Sequence, residues 1–147
     1  MNSHRWITET ETMILRTKRQ LLAALFFAWL TALLALTYWP NMPEVEIKKE
    51  WFRTDYLGHF GFYALLLLFY LLWQKARRGK VTAAFILQSA MAGVVLGGLT
   101  EVSQHLVPGR SLNPLDLMFN CLGIVAGAVA FAVFIGIRGE DGRTIGR

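Results

Sequence analysis

The chain has 147 residues, of which 54% are hydrophobic and 17% charged, with a formal net charge of +5. A soluble domain of average composition carries about 25% charged residues, so a water-soluble globular domain is not expected. A basic balance can serve nucleic acid or anionic lipid, but here Lys and Arg fall in the tails and short loops with no basic stripe among aromatics, which argues against a nucleic-acid partner.

The apolar residues come in blocks. Leu21 to Trp39, Tyr56 to Trp73, Val81 to Thr100 and Leu117 to Ile137 contain no Asp, Glu, Lys or Arg, and each holds 18 to 21 residues. A hydrocarbon core needs roughly 17–25 helical residues to cross. Four buried helices of a soluble bundle would need polar faces, and these blocks have almost none. The expected fold is therefore all-α: an integral membrane protein with four transmembrane helices in a small bundle.

In chain order, residues 1–19 read as a polar tail, and residues 20–39 as the first helix, stopped by Pro40 and Pro43. Arg16, Lys18 and Arg19 precede it as they would a signal peptide. The block is long for a signal core, and Tyr38-Trp39-Pro40-Asn41 lacks a small-x-small cleavage pattern, so an uncleaved helix is expected. A loop to Thr54 carries Trp51 and Phe52, which suit a membrane interface. A second helix follows over about 55–73, then a basic loop, Gln74 to Lys80, and a third helix over about 81–106. Pro108-Gly109 makes a turn. Asn113 is placed to cap the fourth helix and Pro114 to open it; that helix ends near Ile137, leaving a polar tail over 138–147. Cys121 lies inside the last block and packs as a small hydrophobe. Residues 20–137 thus form the membrane domain.

Charge sets the expected orientation. The first tail carries Arg5, Arg16, Lys18 and Arg19, the loop between the second and third helices carries Lys75, Arg77, Arg78 and Lys80, and the last tail carries Arg138, Arg143 and Arg147. Those 11 share one side, against Lys48, Lys49, Arg53 and Arg110 on the other. The excess puts both termini in the cytoplasm.

Ionisable groups in or beside a span are costly and raise a functional hypothesis. Asp55, His59 and Tyr63 are spaced four apart, so they form one stripe on the second helix. Glu101, Gln104 and His105 share a face near the end of the third. Asp116 and Asn120 are one turn apart at the start of the fourth, and Arg110 lies in the turn before it. Given the orientation, all of these sit at the extracytoplasmic end. Gly93 and Gly97 continue the third-helix face, and Gly123 and Gly127 the fourth. Small residues four apart let helices approach closely, so the polar faces are expected to turn into the bundle and form one polar pocket. Plainer roles stand beside this one. Asp55 could only cap its helix and Asp116 only favour a helix N-terminus. Glu101 and Arg110 could be a structural ion pair, Tyr63 could serve packing, and His105 could be interfacial.

The spaced residues Asp55-x3-His59-Phe60-x2-Tyr63 resemble the first signature of the VanZ-like membrane proteins. Glu101-x2-Gln104-x3-Pro108-x-Arg110-x5-Asp116-x3-Asn120-x2-Gly123-x3-Gly127 resembles the second. The likeness covers about residues 20–137; it departs at Tyr56 and Leu57, where a lysine is expected. The resemblance implies a small bacterial inner-membrane protein of the cell envelope, in a family whose namesake is associated with low-level teicoplanin resistance.

Two kinds of function follow as expectations. In the first, the pocket binds or acts on a lipid-linked or glycan envelope substrate. Glu101 or His59 would be the catalytic general base, and Arg110 would grip a phosphate or carboxylate with two donors. Asp55, Gln104, Asp116 and Asn120 would complete the binding set. No cofactor is expected, although a divalent ion on Asp55, His59, Glu101 and Asp116 is conceivable. In the second, the protein is a non-catalytic scaffold, and its polar network fixes helix register while a membrane partner or a second copy supplies the function. A transporter is less expected, because four short helices show no inverted repeat and no charge at mid-membrane.

Overall fold

The computed structural model describes residues 3–39, 54–104, 106–108 and 113–141. Four helices run through them: α1 (Ser3–Thr37), α2 (Thr54–Arg78), α3 (Ala83–Gln104) and α4 (Pro114–Asp141). Each contains a segment long and apolar enough to cross a membrane: Glu11–Thr37, Asp55–Arg78, Ala83–Gln104 and Pro114–Phe134. The chain is thus an all-α integral membrane protein of four spans. The helices overrun the apolar blocks at several ends. The polar residues read from the sequence as a tail continue α1 back to Ser3, and α2 carries on through the basic stretch to Arg78. Charged residues end a hydrophobic block but do not end a helix, because Glu, Lys and Arg are good helix formers.

Local chemistry sets the helix boundaries. Gly79 takes φ +74°, and its N–H donates to the Lys75 carbonyl at 2.9 Å. That left-handed cap costs glycine no Cβ clash. Lys75, Arg77 and Arg78 lie in the turn before it, where cations favour the helix C-terminus. The Thr82 hydroxyl accepts the Phe85 N–H at 3.2 Å and so caps α3. Asn113 caps α4 as expected. Its side-chain oxygen accepts the Leu115 N–H at 3.1 Å, its carbonyl accepts the Asp116 N–H at 3.0 Å, and Pro114 holds the first helical position.

Packing centres on α2. It lies most extensively along α4 and next along α1, while α3 packs on α4 and barely meets α1. Leu33, Tyr63, Leu66, Leu67, Leu71, Ile124 and Phe131 form the buried core. The glycines of α4 allow the α2 contact. A Cβ on Gly123 would collide with the Phe60 carbonyl, and one on Gly127 with the Ala64 carbonyl. Two glycines of α3 meet side chains instead, Gly93 against Ile124 and Gly97 against Asn120. The Trp29 indole N–H donates to the Phe62 carbonyl at 2.9 Å and its ring stacks on Phe62, which ties α1 to α2. Outward, α3 shows Leu87, Met91, Val95, Leu99 and Val102, and α4 shows Leu122, Val125, Val129 and Val133. A helix that stays apolar on its exposed face needs lipid as its surroundings.

Candidate functional site

The N-terminal ends of α2 and α4 and the C-terminal ends of α1 and α3 meet at one end of the bundle, and the polar residues gather there. At 1.5 Å per residue, His59 lies about 8 Å inside the start of α2 and Asn120 about 9 Å inside the start of α4. Glu101 lies about 5 Å from the end of α3. These groups therefore sit below the helix ends rather than at the rim.

One chain of contacts links three helices. The Glu101 Oε1 accepts the Asn113 backbone N–H at 2.8 Å. The Asn113 Nδ2 donates to Asp116 Oδ1 at 3.0 Å. The other oxygen of Asp116 faces His59 Nε2 at 3.8 Å. On its far side, His59 Nδ1 hydrogen-bonds Asn120 Oδ1 at 3.0 Å. Because an amide oxygen only accepts, Nδ1 carries the proton of a neutral His59, and Nε2 presents its lone pair. Glu101, Asn120 and Asp116 are buried, at 2%, 1% and 7% exposure. Glu101 Oε2 is buried without a hydrogen-bond partner among the described residues. Asp55 joins the cluster from the first turn of α2: one ligand atom each from Asp55, His59 and Asp116 lies within 4.8 Å of the other two.

Five of the residues singled out by sequence thus come together: Asp55, His59, Glu101, Asp116 and Asn120. Gln104 is buried but turned toward α1, where its Nε2 reaches the Thr37 carbonyl at 3.4 Å. Tyr63 donates no group to the chain of contacts. Its hydroxyl pairs with the Thr100 hydroxyl, which also reaches the Leu96 and Gly97 carbonyls. Arg110, His105, Trp51 and Phe52 lie outside the described residues.

Sequence reading missed three participants. Thr100 is buried between Gly97 and Gln104 on the packed face of α3, and the recurrence of Gly93, Gly97, Thr100, Glu101 and Gln104 at steps of three and four marks that face. Ser103 and Tyr38 join through their hydroxyls at 2.7 Å, clasping the end of α1 to α3; no spacing rule connects residues so far apart in sequence. Asn113 was legible as a cap, but its second role as the bridge between Glu101 and Asp116 was not.

Beyond Tyr63, deeper in the bundle, lies a cavity of about 380 Å³. Phe26 and Leu30 of α1, Tyr63 and Leu67 of α2 and Phe85 and Leu96 of α3 help to line it. It lies where α1 and α3 pack against each other least. Tyr63 is a shared wall, with its ring on the cavity and its hydroxyl on Thr100 beside Glu101.

Fold and site together define a multi-pass membrane protein with a buried carboxylate–imidazole–amide network at one end of its bundle. A family model for VanZ/LLP1 matches residues 7–135, and the chain belongs to that family. No curated protein and no solved structure is similar enough to match.

Proposed function

We propose that this VanZ-family chain is a protein of the bacterial cytoplasmic membrane and cell envelope, linked to glycopeptide (teicoplanin) susceptibility. In this reading the polar network faces the extracytoplasmic side and binds the head of a lipid-linked envelope precursor. The observation that carries it is Glu101. This carboxylate is 2% exposed, one oxygen is fixed by the Asn113 N–H, and the other is buried without a hydrogen-bond partner among the described residues. Burying a polar atom unsatisfied costs about 1–3 kcal/mol. A network kept only for helix register gains nothing from that cost, whereas an acceptor with no partner among the described residues is ready for a substrate hydroxyl or amide. The neighbouring apolar cavity gives a lipid chain a place beside the head, which favours a lipid-linked substrate over a free glycan. Glu101 or His59 serves as general base if the site is catalytic, and Arg110 is the guanidinium suited to a phosphate.

The decisive measurement is a profile of membrane lipids and peptidoglycan precursors in bacteria with and without the gene, alongside teicoplanin susceptibility. A change in a lipid-linked pool is expected. Unaltered pools and susceptibility would overturn the reading.

Orientation is tested separately. Cysteines placed within residues 41–54 should react with an impermeant thiol reagent added outside intact cells, because both termini are proposed to be cytoplasmic. Labelling within 74–80 instead would reverse the topology and move the network to the cytoplasmic side.

A further inference from the structure

We propose that Asp55, His59 and Asp116 bind a divalent transition-metal ion of the Zn²⁺ or Mn²⁺ class. Asp55 and His59 project from one stripe of α2, and Asp116 comes from the first turn of α4, against which α2 packs. Their three ligand atoms lie within 4.8 Å of one another. Ligands at about 2.0–2.2 Å from an ion stand up to about 4.4 Å apart, so small side-chain rotations close the set.

Within this set, the His59–Asp116 contact also suits a cation. At 3.8 Å it is too long for a hydrogen bond. In the neutral tautomer whose Nδ1–H donates to Asn120 Oδ1, the Nε2 lone pair faces a carboxylate oxygen of Asp116. Two acceptors facing each other at this distance fit two ligands of one ion. The surrounding contacts match those that orient metal ligands: Asn120 fixes the imidazole tautomer, and the Asn113 Nδ2 holds the other oxygen of Asp116. Asn120 and Asn113 are positioning residues here. Glu101 does not belong to the three-residue set; Asn113 links it to Asp116.

Donor chemistry selects the ion. Imidazole suits Zn²⁺ and its neighbours, and carboxylates suit Mg²⁺, Ca²⁺ and Mn²⁺; one imidazole with two carboxylates falls between. Three protein ligands leave positions open for water or a phosphate oxygen. The inference stands apart from the lipid reading, because ion binding is measured on the purified chain with no lipid precursor added.

The test titrates ZnCl₂ or MnCl₂ into chelator-treated full-length protein in detergent, by calorimetry. One ion per chain is expected. His59→Gln and Asp116→Asn should abolish binding, and Asn120→Ala should weaken it about 10–100-fold, as losing a ligand-orienting contact does. Should those variants fail to fold, a His4→Gln/His105→Gln chain keeps His59 as its one histidine. Pulsed EPR of that chain loaded with Mn²⁺ should show coupling to a single imidazole nitrogen. Binding that is absent or substoichiometric, binding indifferent to the substitutions, or an EPR spectrum without imidazole coupling would each overturn the proposal.

Discussion

Gly127→Ala is expected to destabilise the bundle by about 1–3 kcal/mol, the range for forcing extra volume into a packed core, and Gly123→Ala by a similar amount. In both cases the added methyl would lie closer than 3.0 Å to a backbone carbonyl of α2, that of Ala64 or Phe60. A flexible side chain could swing away from such a clash. A backbone carbonyl inside a helix cannot, so α2 and α4 must separate along their whole contact. In the membrane the loss is felt fully, because lipid tails are as apolar as leucine and helix association relies on close packing. Gly61 and Gly98 provide the control, since a Cβ there meets nothing within 4 Å. Gly61→Ala should be neutral or stabilising by up to about 1 kcal/mol, the helix penalty of glycine. Unfolding midpoints in detergent measure all four variants. Equal behaviour of Gly127→Ala and Gly61→Ala would show that α4 does not sit against α2 as described.

Glu101 is expected to separate stability from function. Glu101→Leu removes the acceptor of the Asn113 N–H and should cost about 1–3 kcal/mol, the penalty for a buried donor left unmade. The same loss uncouples the cap of α4 from α3, so membrane abundance should fall. Glu101→Gln keeps the size of the side chain and an oxygen for Asn113, so abundance should stay near normal. Its amide, however, puts a donor or a weaker acceptor where the second carboxylate oxygen lies buried, and it cannot serve as a base. The change in precursor pools and susceptibility should therefore vanish with Glu101→Gln while the protein remains in the membrane. If the network serves only to fix helix register, abundance and phenotype will instead fall together, or both will survive the substitution. Immunoblots of membrane fractions beside the precursor profile distinguish these outcomes.

Sequence alone determined that this chain crosses a membrane four times. A block of about 20 residues without charge can satisfy its backbone in lipid only as a helix, and that constraint acts on each block separately. The cap at Asn113 and the close-packing glycines at 123 and 127 were legible for the same reason, since each follows from residue type at a local position. The polar stripes could be read too, because four-residue spacing puts Asp55 below His59 and Asp116 below Asn120 whatever the rest of the chain does. The partner of each group was decided only by tertiary structure. Gln104 shares a helical face with Glu101, yet it reaches the end of α1, where the Thr37 carbonyl comes within its range. His59 shares its stripe with Asp55, yet its Nδ1 is held by Asn120 across the α2–α4 contact. The absence of Cβ atoms at Gly123 and Gly127 brings α4 close enough to α2 for that bond to form. The gap between α1 and α3, and so the cavity beside Tyr63, likewise depends on how all four helices share a limited packing surface, which no single segment specifies.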